Sequence, residues 1–227
     1  MSKHFVNIEV AGPAAMFSRP DTGATPVSYP VPTASAVKGM FEAVLRKPHI
    51  YIQPTLVEIC KPIRFERYIT NYGGPLRKGK DIKEKNTYQF LATIIVDVHF
   101  RIYAEVHMKM MSTRSKEVQQ LRRRRGRDWR PQFKKLFADR LEHGQFFYTP
   151  CLGWKEFIPS YFGPIRTQDE HGQKIDPVAT GEIHIPAMLT SMWDHHDYRP
   201  CFEERWIVDG IMSYTHERPP KEVLNVE

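Results

Sequence analysis

From Val96 to Lys109 the chain alternates without a break: Val96, Val98, Phe100, Ile102, Ala104, Val106 and Met108 against Asp97, His99, Arg101, Tyr103, Glu105, His107 and Lys109. A strict period of two marks a β-strand with one face on a core and the other on solvent or ligand. With hydrophobic residues at 41% and charged residues at 26%, the chain has the composition of a folded globular protein, and its 227 residues suffice for one large domain, or for one domain plus a small appendage.

The other elements follow from local pattern. Phe5 to Val10 reads as a first strand ending at Gly12-Pro13, and a loop rich in Pro, Gly, Ser and Thr runs from Ser18 to Thr33. Val37, Met40, Phe41, Val44 and Leu45 then fall at helical spacing, with Thr33 or Ser35 to cap the helix and Pro48 to close it. Leu56 to Ile69 reads as an interrupted or edge strand around Pro62. A second helix is expected from Asp128 to His143, with Trp129, Phe133, Leu136, Phe137 and Leu141 on one face and Gly144 as its stop. Hairpin-like pieces near Gly181 to Met188 and Arg205 to Tyr214 make the last third a small β-rich unit.

Charge narrows the partners. The net charge of +7 suits a polyanion, because each neutralised phosphate releases counterions. The cations are clustered. Arg77, Lys78, Lys80, Lys83 and Lys85 sit in a Gly-rich stretch, and Arg122, Arg123, Arg124, Arg125 and Arg127 form a run without interleaved acids. Such a run repels itself unless an anion is present. The second face of the alternating strand, with His99, Arg101, Tyr103 and His107, suits an RNA platform of stacking rings and phosphate-binding cations; the other reading is a solvated face.

Other chemistries find less support. No nucleophile elbow, phosphate-binding loop or dinucleotide fingerprint occurs. Cys60, Cys151 and Cys201 are isolated, so neither a zinc ribbon nor a disulfide framework is indicated. Asp194, His195, His196 and Asp197 are metal-ligating types, but adjacent side chains on extended backbone diverge and at most two could reach one ion. No metal or cofactor is expected. No apolar run approaches the ~20 residues of a membrane span, and the first strand begins with no leader before it, so the expected location is cytoplasmic.

Four short segments carry a family resemblance. They are Gly12, Ala15, Phe17, Arg19 and Pro20; Ser28-Tyr29, Val31, Thr33, Ala36, Gly39, Glu42-Ala43 and Lys47-Pro48; Pro62-Ile63 and Phe65; and Gly144-Gln145, Phe147, Pro150-Cys151-Leu152-Gly153 and Glu156-Phe157. In order and spacing they resemble the CRISPR-associated (Cas) family five proteins, subtype d, of the RAMP superfamily. The resemblance implies an α+β fold: a ferredoxin-like (RRM-type) RAMP domain over residues 1–160 and a small C-terminal antiparallel β-sheet appendage over 161–227. It implies a subunit of a type I-C CRISPR interference (Cascade) complex that grips the 5′ handle of the CRISPR RNA (crRNA) in antiviral defence. Its partners would be the crRNA, the large and backbone subunits and, through the complex, target DNA.

RNA contacts are then expected from Arg19, Lys38, Arg77, Lys78, Lys80, Arg101, Tyr103 and the run Arg122, Arg123, Arg124, Arg125 and Arg127. Relatives of subtype d also cut the precursor transcript without metal. The 2′-hydroxyl attacks the adjacent phosphorus and the 5′ oxygen leaves with a proton, which needs a general base, a general acid and a cation. The family places a Tyr or His near the end of the first helix and a Lys-His pair opening the second. The corresponding residues are Leu45 and Gln132-Phe133, none of which transfers a proton at neutral pH. Lys134, His143 and Tyr148 are the nearby candidates to substitute, and whether the chain is an enzyme is left open by its residues.

Overall fold

The alternating segment forms the second half of strand β4 (Tyr88–Met108). The computed structural model describes residues 4–23, 25–72, 79, 83, 88–108, 128–191 and 200–220. β4 pairs antiparallel with β1 (Phe5–Ala15) and β2 (Ile50–Ile59), and its first half pairs antiparallel with β3 (Arg64–Tyr72). The remaining strands are β5 (Tyr161–Gly163), β6 (Glu182–Ser191), β7 (Cys201–Val208) and β8 (Ile211–Ser213). Among the described residues the strands form one sheet, in the order β5-β1-β4-β2-β8-β7-β6, with β3 beside β4 off this path. Helices α1 (Ala34–Val44) and α2 (Arg130–Glu142) pack on it, giving an α+β fold dominated by antiparallel sheet.

Each element has a local cause. Thr33 caps α1, its hydroxyl accepting from the Ala36 N–H at 3.3 Å. The helix buries Val37, Met40, Phe41 and Val44. α2 buries Phe133, Phe137 and Leu141, spaced at i, i+4 and i+8, and the Phe41 and Phe137 rings meet with centroids 5.6 Å apart. At roughly 1.5–3 kcal/mol for each large apolar side chain buried, these stripes hold the helices to the sheet. Leu136, expected on the same stripe, is exposed because the contact is narrower than the sequence suggested.

β1 continues through Gly12-Pro13 instead of ending there. The ladder pairs Gly12 with Val98 and Ala14 with Val96, leaving Pro13 opposite Asp97. Asp97 sits at φ 53°, outside strand geometry, so the missing proline N–H falls where the ladder is already broken. Lys61 and Arg64 hold the Asp97 carboxylate at 2.5 and 2.7 Å. The expected interrupted strand around Pro62 is two strands, β2 and β3. The resemblance segments pack on one another: a Cβ on Gly12 would meet the Leu152 side chain at 2.6 Å, and one on Gly153 (φ +89°) would meet the Met16 carbonyl oxygen at 1.9 Å. Ser28 Oγ accepts from the Phe17 N–H at 2.9 Å.

The second face of β4 corrects the expectation of an open platform. Its centre is covered by the segment around Arg166, and Glu9, Arg101 and Arg166 bind one another there. Glu9, fully buried on β1, accepts from the Arg166 backbone N–H and Nε at 2.8 Å each and meets Arg166 Nη2 at 2.7 Å. Arg101 donates to the Arg166 carbonyl at 2.5 Å and lies 3.8 Å from Glu9 and 3.7 Å from Glu58. Burial, reinforced by Glu58, pushes the Tyr103 phenol above the ordinary tyrosine range. Burial also raises the Cys60 thiol to about 12. Arg101 is thus a buried, neutralised cation within this chain.

His99 belongs to the same cluster, its Nε2 3.1 Å from Glu9 Oε1. Because Arg166 already neutralises Glu9, burial outweighs the carboxylate's pull and lowers the His99 pKa below the ordinary histidine value. An unfolded histidine binds its proton near pH 6.5, so below about that pH the unfolded state holds more protons and stability falls. A lower urea midpoint is therefore expected at about pH 5.5 than at about pH 7.5, and His99→Gln is expected to reduce that difference. An undiminished difference in the variant would locate its origin in another group.

Candidate nucleic-acid interface

The outer side of α1, opposite the buried stripe, carries Lys38 and Glu42 one helical turn apart, and Arg46 follows just beyond the end of the helix. Their ion pairs are long, 3.9 Å from Lys38 Nζ and 4.0 Å from Arg46 Nε to the Glu42 carboxylate, and Arg46 is about three-quarters exposed. Exposed pairs of this kind contribute little to stability, so the charges are accessible to a ligand.

The last turn of α2 and the chain after it flank this ridge. Arg140 Nε donates to the Val44 carbonyl at 2.8 Å and the Phe147 N–H to the Ala43 carbonyl at 2.8 Å, which satisfies carbonyls that the end of α1 leaves open. The Arg140 guanidinium lies 4.4 Å from the Phe147 ring centre, while Tyr148 donates to the Gly39 carbonyl at 2.8 Å. Both rings are more than half exposed. On the other flank Tyr51 is exposed, with Lys38 Nζ 5.2 Å from its ring centre. Exposed rings interleaved with cations are the arrangement that single-stranded RNA requires, bases stacking while phosphates are neutralised.

Beside the ridge lies a cavity of ≈ 340 Å³. Leu45, Ile52 and Phe133 give it a buried apolar floor, Pro48 and Ile50 complete the wall, and Lys38, Glu42, Arg46, Lys47 and Tyr51 form the polar rim. Of the three positions that the family resemblance aligns with proton-transferring groups, Leu45, Gln132 and Phe133, the first and last line this one cavity although they are far apart in sequence. The floor at these positions is apolar.

The substitutes are dispersed. Lys134 lines a different cavity, with Phe5, Asn7, Phe137, Glu142 and Pro164. His143, at the end of α2, is exposed; its Nδ1 lies 2.8 Å from the Asp139 carbonyl, whose hydrogen bond raises its pKa. Tyr148 stands on the far flank of the ridge, and burial raises its phenol pKa. Lys38 and Tyr148 do share the ridge. Arg19 is held away by Asp21, 2.7 Å from its Nη2, and packs its guanidinium 5.7 Å from the Tyr29 ring centre. Arg77, Lys78, Lys80, Arg122, Arg123, Arg124, Arg125 and Arg127 lie outside the described residues, as do Asp194, His195, His196 and Asp197.

Sequence reasoning missed Arg46, Lys47, Tyr51 and Arg140 as interface residues. The four-residue spacing Lys38-Glu42-Arg46 was the available signal; nothing local marks Tyr51 or Arg140, which reach the ridge through the fold. No helix among the described residues is long and apolar enough to cross a membrane.

The family model Cas_Cas5d, described as CRISPR-associated protein (Cas_Cas5), matches residues 5–225. A Thermus thermophilus protein named CRISPR pre-crRNA endoribonuclease Cas5d is 29% identical over 160 residues, covering 70% of this chain and 63% of the relative, less than two thirds of its length. A Mannheimia succiniciproducens protein of the same name is 28% identical over 225 residues, covering 92% and 93%. Among solved structures, that of a CRISPR-associated protein superposes with a TM-score of 0.66 at 17% identity, covering 96% of this chain and 95% of that one. A functionally uncharacterized protein from Streptococcus mutans superposes with a TM-score of 0.64 at 16% identity, with the same coverage. Both likenesses concern the fold.

Proposed function

This chain belongs to the CRISPR-associated Cas5 family, subtype d, and on that premise we propose that it is the RNA-binding subunit of a type I-C CRISPR interference complex, acting in the cytoplasm and gripping the 5′ handle of the crRNA. The α1 ridge carries the reading: Lys38, Arg46 and Lys47 are accessible cations, and Tyr51, Phe147 and Tyr148 are exposed rings within one surface. The proposed partners are the crRNA, the large and backbone subunits and, through the complex, target DNA.

The order β5-β1-β4-β2, with α1 after β1 and α2 after β4, supports a ferredoxin-like first domain, since a β-α-β-β-α-β chain threads its sheet in that manner; its last strand, β5 (Tyr161–Gly163), falls just past the boundary expected at residue 160. In the same reading β6, β7 and β8 form the C-terminal appendage. Direct RNA contact by Arg19 or by the sequence runs around Arg77 and Arg122 remains part of the proposal, whereas Arg101 and Tyr103 would act by holding the sheet.

The second reading, a metal-independent endoribonuclease, is favoured by the names of the Thermus and Mannheimia relatives. One experiment separates the two. Labelled repeat RNA incubated with excess protein in EDTA is expected to remain intact within a protein–RNA complex, because Leu45 and Phe133 supply no acid or base to the cavity. A single cut ending in a 2′,3′-cyclic phosphate would establish the second reading, and failure to bind at any salt concentration would remove the first.

A further inference from the structure

The rim of the cavity beside α1 contains one residue that phosphate binding does not explain. Among the described residues Glu42 is its only carboxylate, set among Lys38, Arg46 and Lys47. A carboxylate repels phosphate, but it accepts two hydrogen bonds side by side and donates none when ionised. The floor beneath it is apolar, formed by Leu45, Ile52 and Phe133, and Tyr51 stands exposed at the mouth. Its volume falls within the range that holds small planar ligands.

We propose that this cavity receives one unstacked guanine base of the bound RNA, with Glu42 as the residue that selects it; this rests on the reading of the α1 ridge as an RNA surface. Guanine alone among the four bases presents two adjacent N–H donors, N1–H and the N2 amino group, which match the two oxygens of a carboxylate. Adenine and cytosine each offer an amino donor beside a ring acceptor, and uracil offers one N–H between two carbonyls, so each sets at least one lone pair against the carboxylate. The base plane covers Leu45 and Phe133 and removes apolar surface from water. Lys38, Arg46 and Lys47 meet the flanking phosphates.

The long Lys38–Glu42 and Arg46–Glu42 separations leave the carboxylate oxygens with bonding capacity for this role, and the side chain is about a quarter exposed. Leu45 and Phe133 provide an apolar seat, and recognition of a base there fixes the register of the RNA along the ridge.

The test compares labelled single-stranded oligonucleotides bound by the full chain at fixed salt: an 11-mer of uridine, the same 11-mer with one central guanosine, and the same with one central inosine, which lacks the N2 amino group. The guanosine oligonucleotide is expected to bind about tenfold more tightly than the uridine one, in line with a good bidentate pair, and inosine is expected to lose most of that gain. Glu42→Gln is expected to abolish the guanosine preference while uridine binding persists. Equal affinity of the three oligonucleotides for the unaltered protein, or an undiminished preference in Glu42→Gln, would overturn the assignment and leave the RNA-binding reading standing. Failure to bind any of the three would instead remove the RNA-binding reading, and the guanine seat with it.

Discussion

Replacing Arg166 by alanine is expected to cost about 3 kcal/mol of folding stability and to lower the melting temperature by about 10 °C. Arg166 neutralises Glu9 through two side-chain nitrogens and its own backbone N–H, and Glu9 is 0% exposed. Without the guanidinium, Glu9 becomes a buried carboxylate whose remaining neighbours are His99 at 3.1 Å and Arg101 at 3.8 Å. His99 would then gain a reason to hold its proton, which relieves part of the penalty and holds the loss near the lower end of the usual range for a broken buried pair. A urea titration near neutral pH measures the cost; a midpoint shift worth less than about 0.5 kcal/mol would show that the cluster is not a structural tie.

Simultaneous replacement of Lys38, Arg46 and Lys47 by alanine should act on binding and spare the fold. All three lie at the rim of the α1 cavity, and the Lys38 and Arg46 side chains are substantially exposed. For single-stranded RNA each lost phosphate contact reduces the slope of log K against log salt by about 0.7, so the triple variant should lose about 2 units of slope. The same relation predicts roughly a hundredfold weaker binding near 0.1 M salt, with the two proteins converging toward 1 M. Unaltered slope and affinity would place the RNA elsewhere on the molecule.

Much of the fold was legible because its causes are local. The stripe of Val37, Met40, Phe41 and Val44 and the Thr33 cap specify α1, and the alternation after Val96 specifies half of β4. The other half was missed because Ala92, Ile94 and Ile95 are all buried, which erases the alternation. The limit of β1 was misplaced because Pro13 normally ends a strand, and only the partner at Asp97 shows why it does not. The covered face of β4 was illegible for a different reason: Arg166 is 157 residues from Glu9, and no pattern in either segment announces the other. The candidate interface was half legible. Lys38 and Tyr148 lie on the α1 ridge, while Tyr51 and Arg140 join the ridge only after β2 and α2 are placed.

The placement of β1 beside β4 also sets a schedule for synthesis. Phe5 pairs with Glu105 and Ala15 with Ile95, so about 80 to 100 residues separate each half of that ladder from its mate. At the usual speed of translation the first strand leaves the ribosome roughly 4–20 s before its neighbour exists. Throughout that interval Val6, Ile8 and Val10, all destined for the core, belong to an unpaired apolar strand. A contact of such long range makes folding slow, and it leaves the nascent chain most vulnerable to association with other chains before β4 has been made.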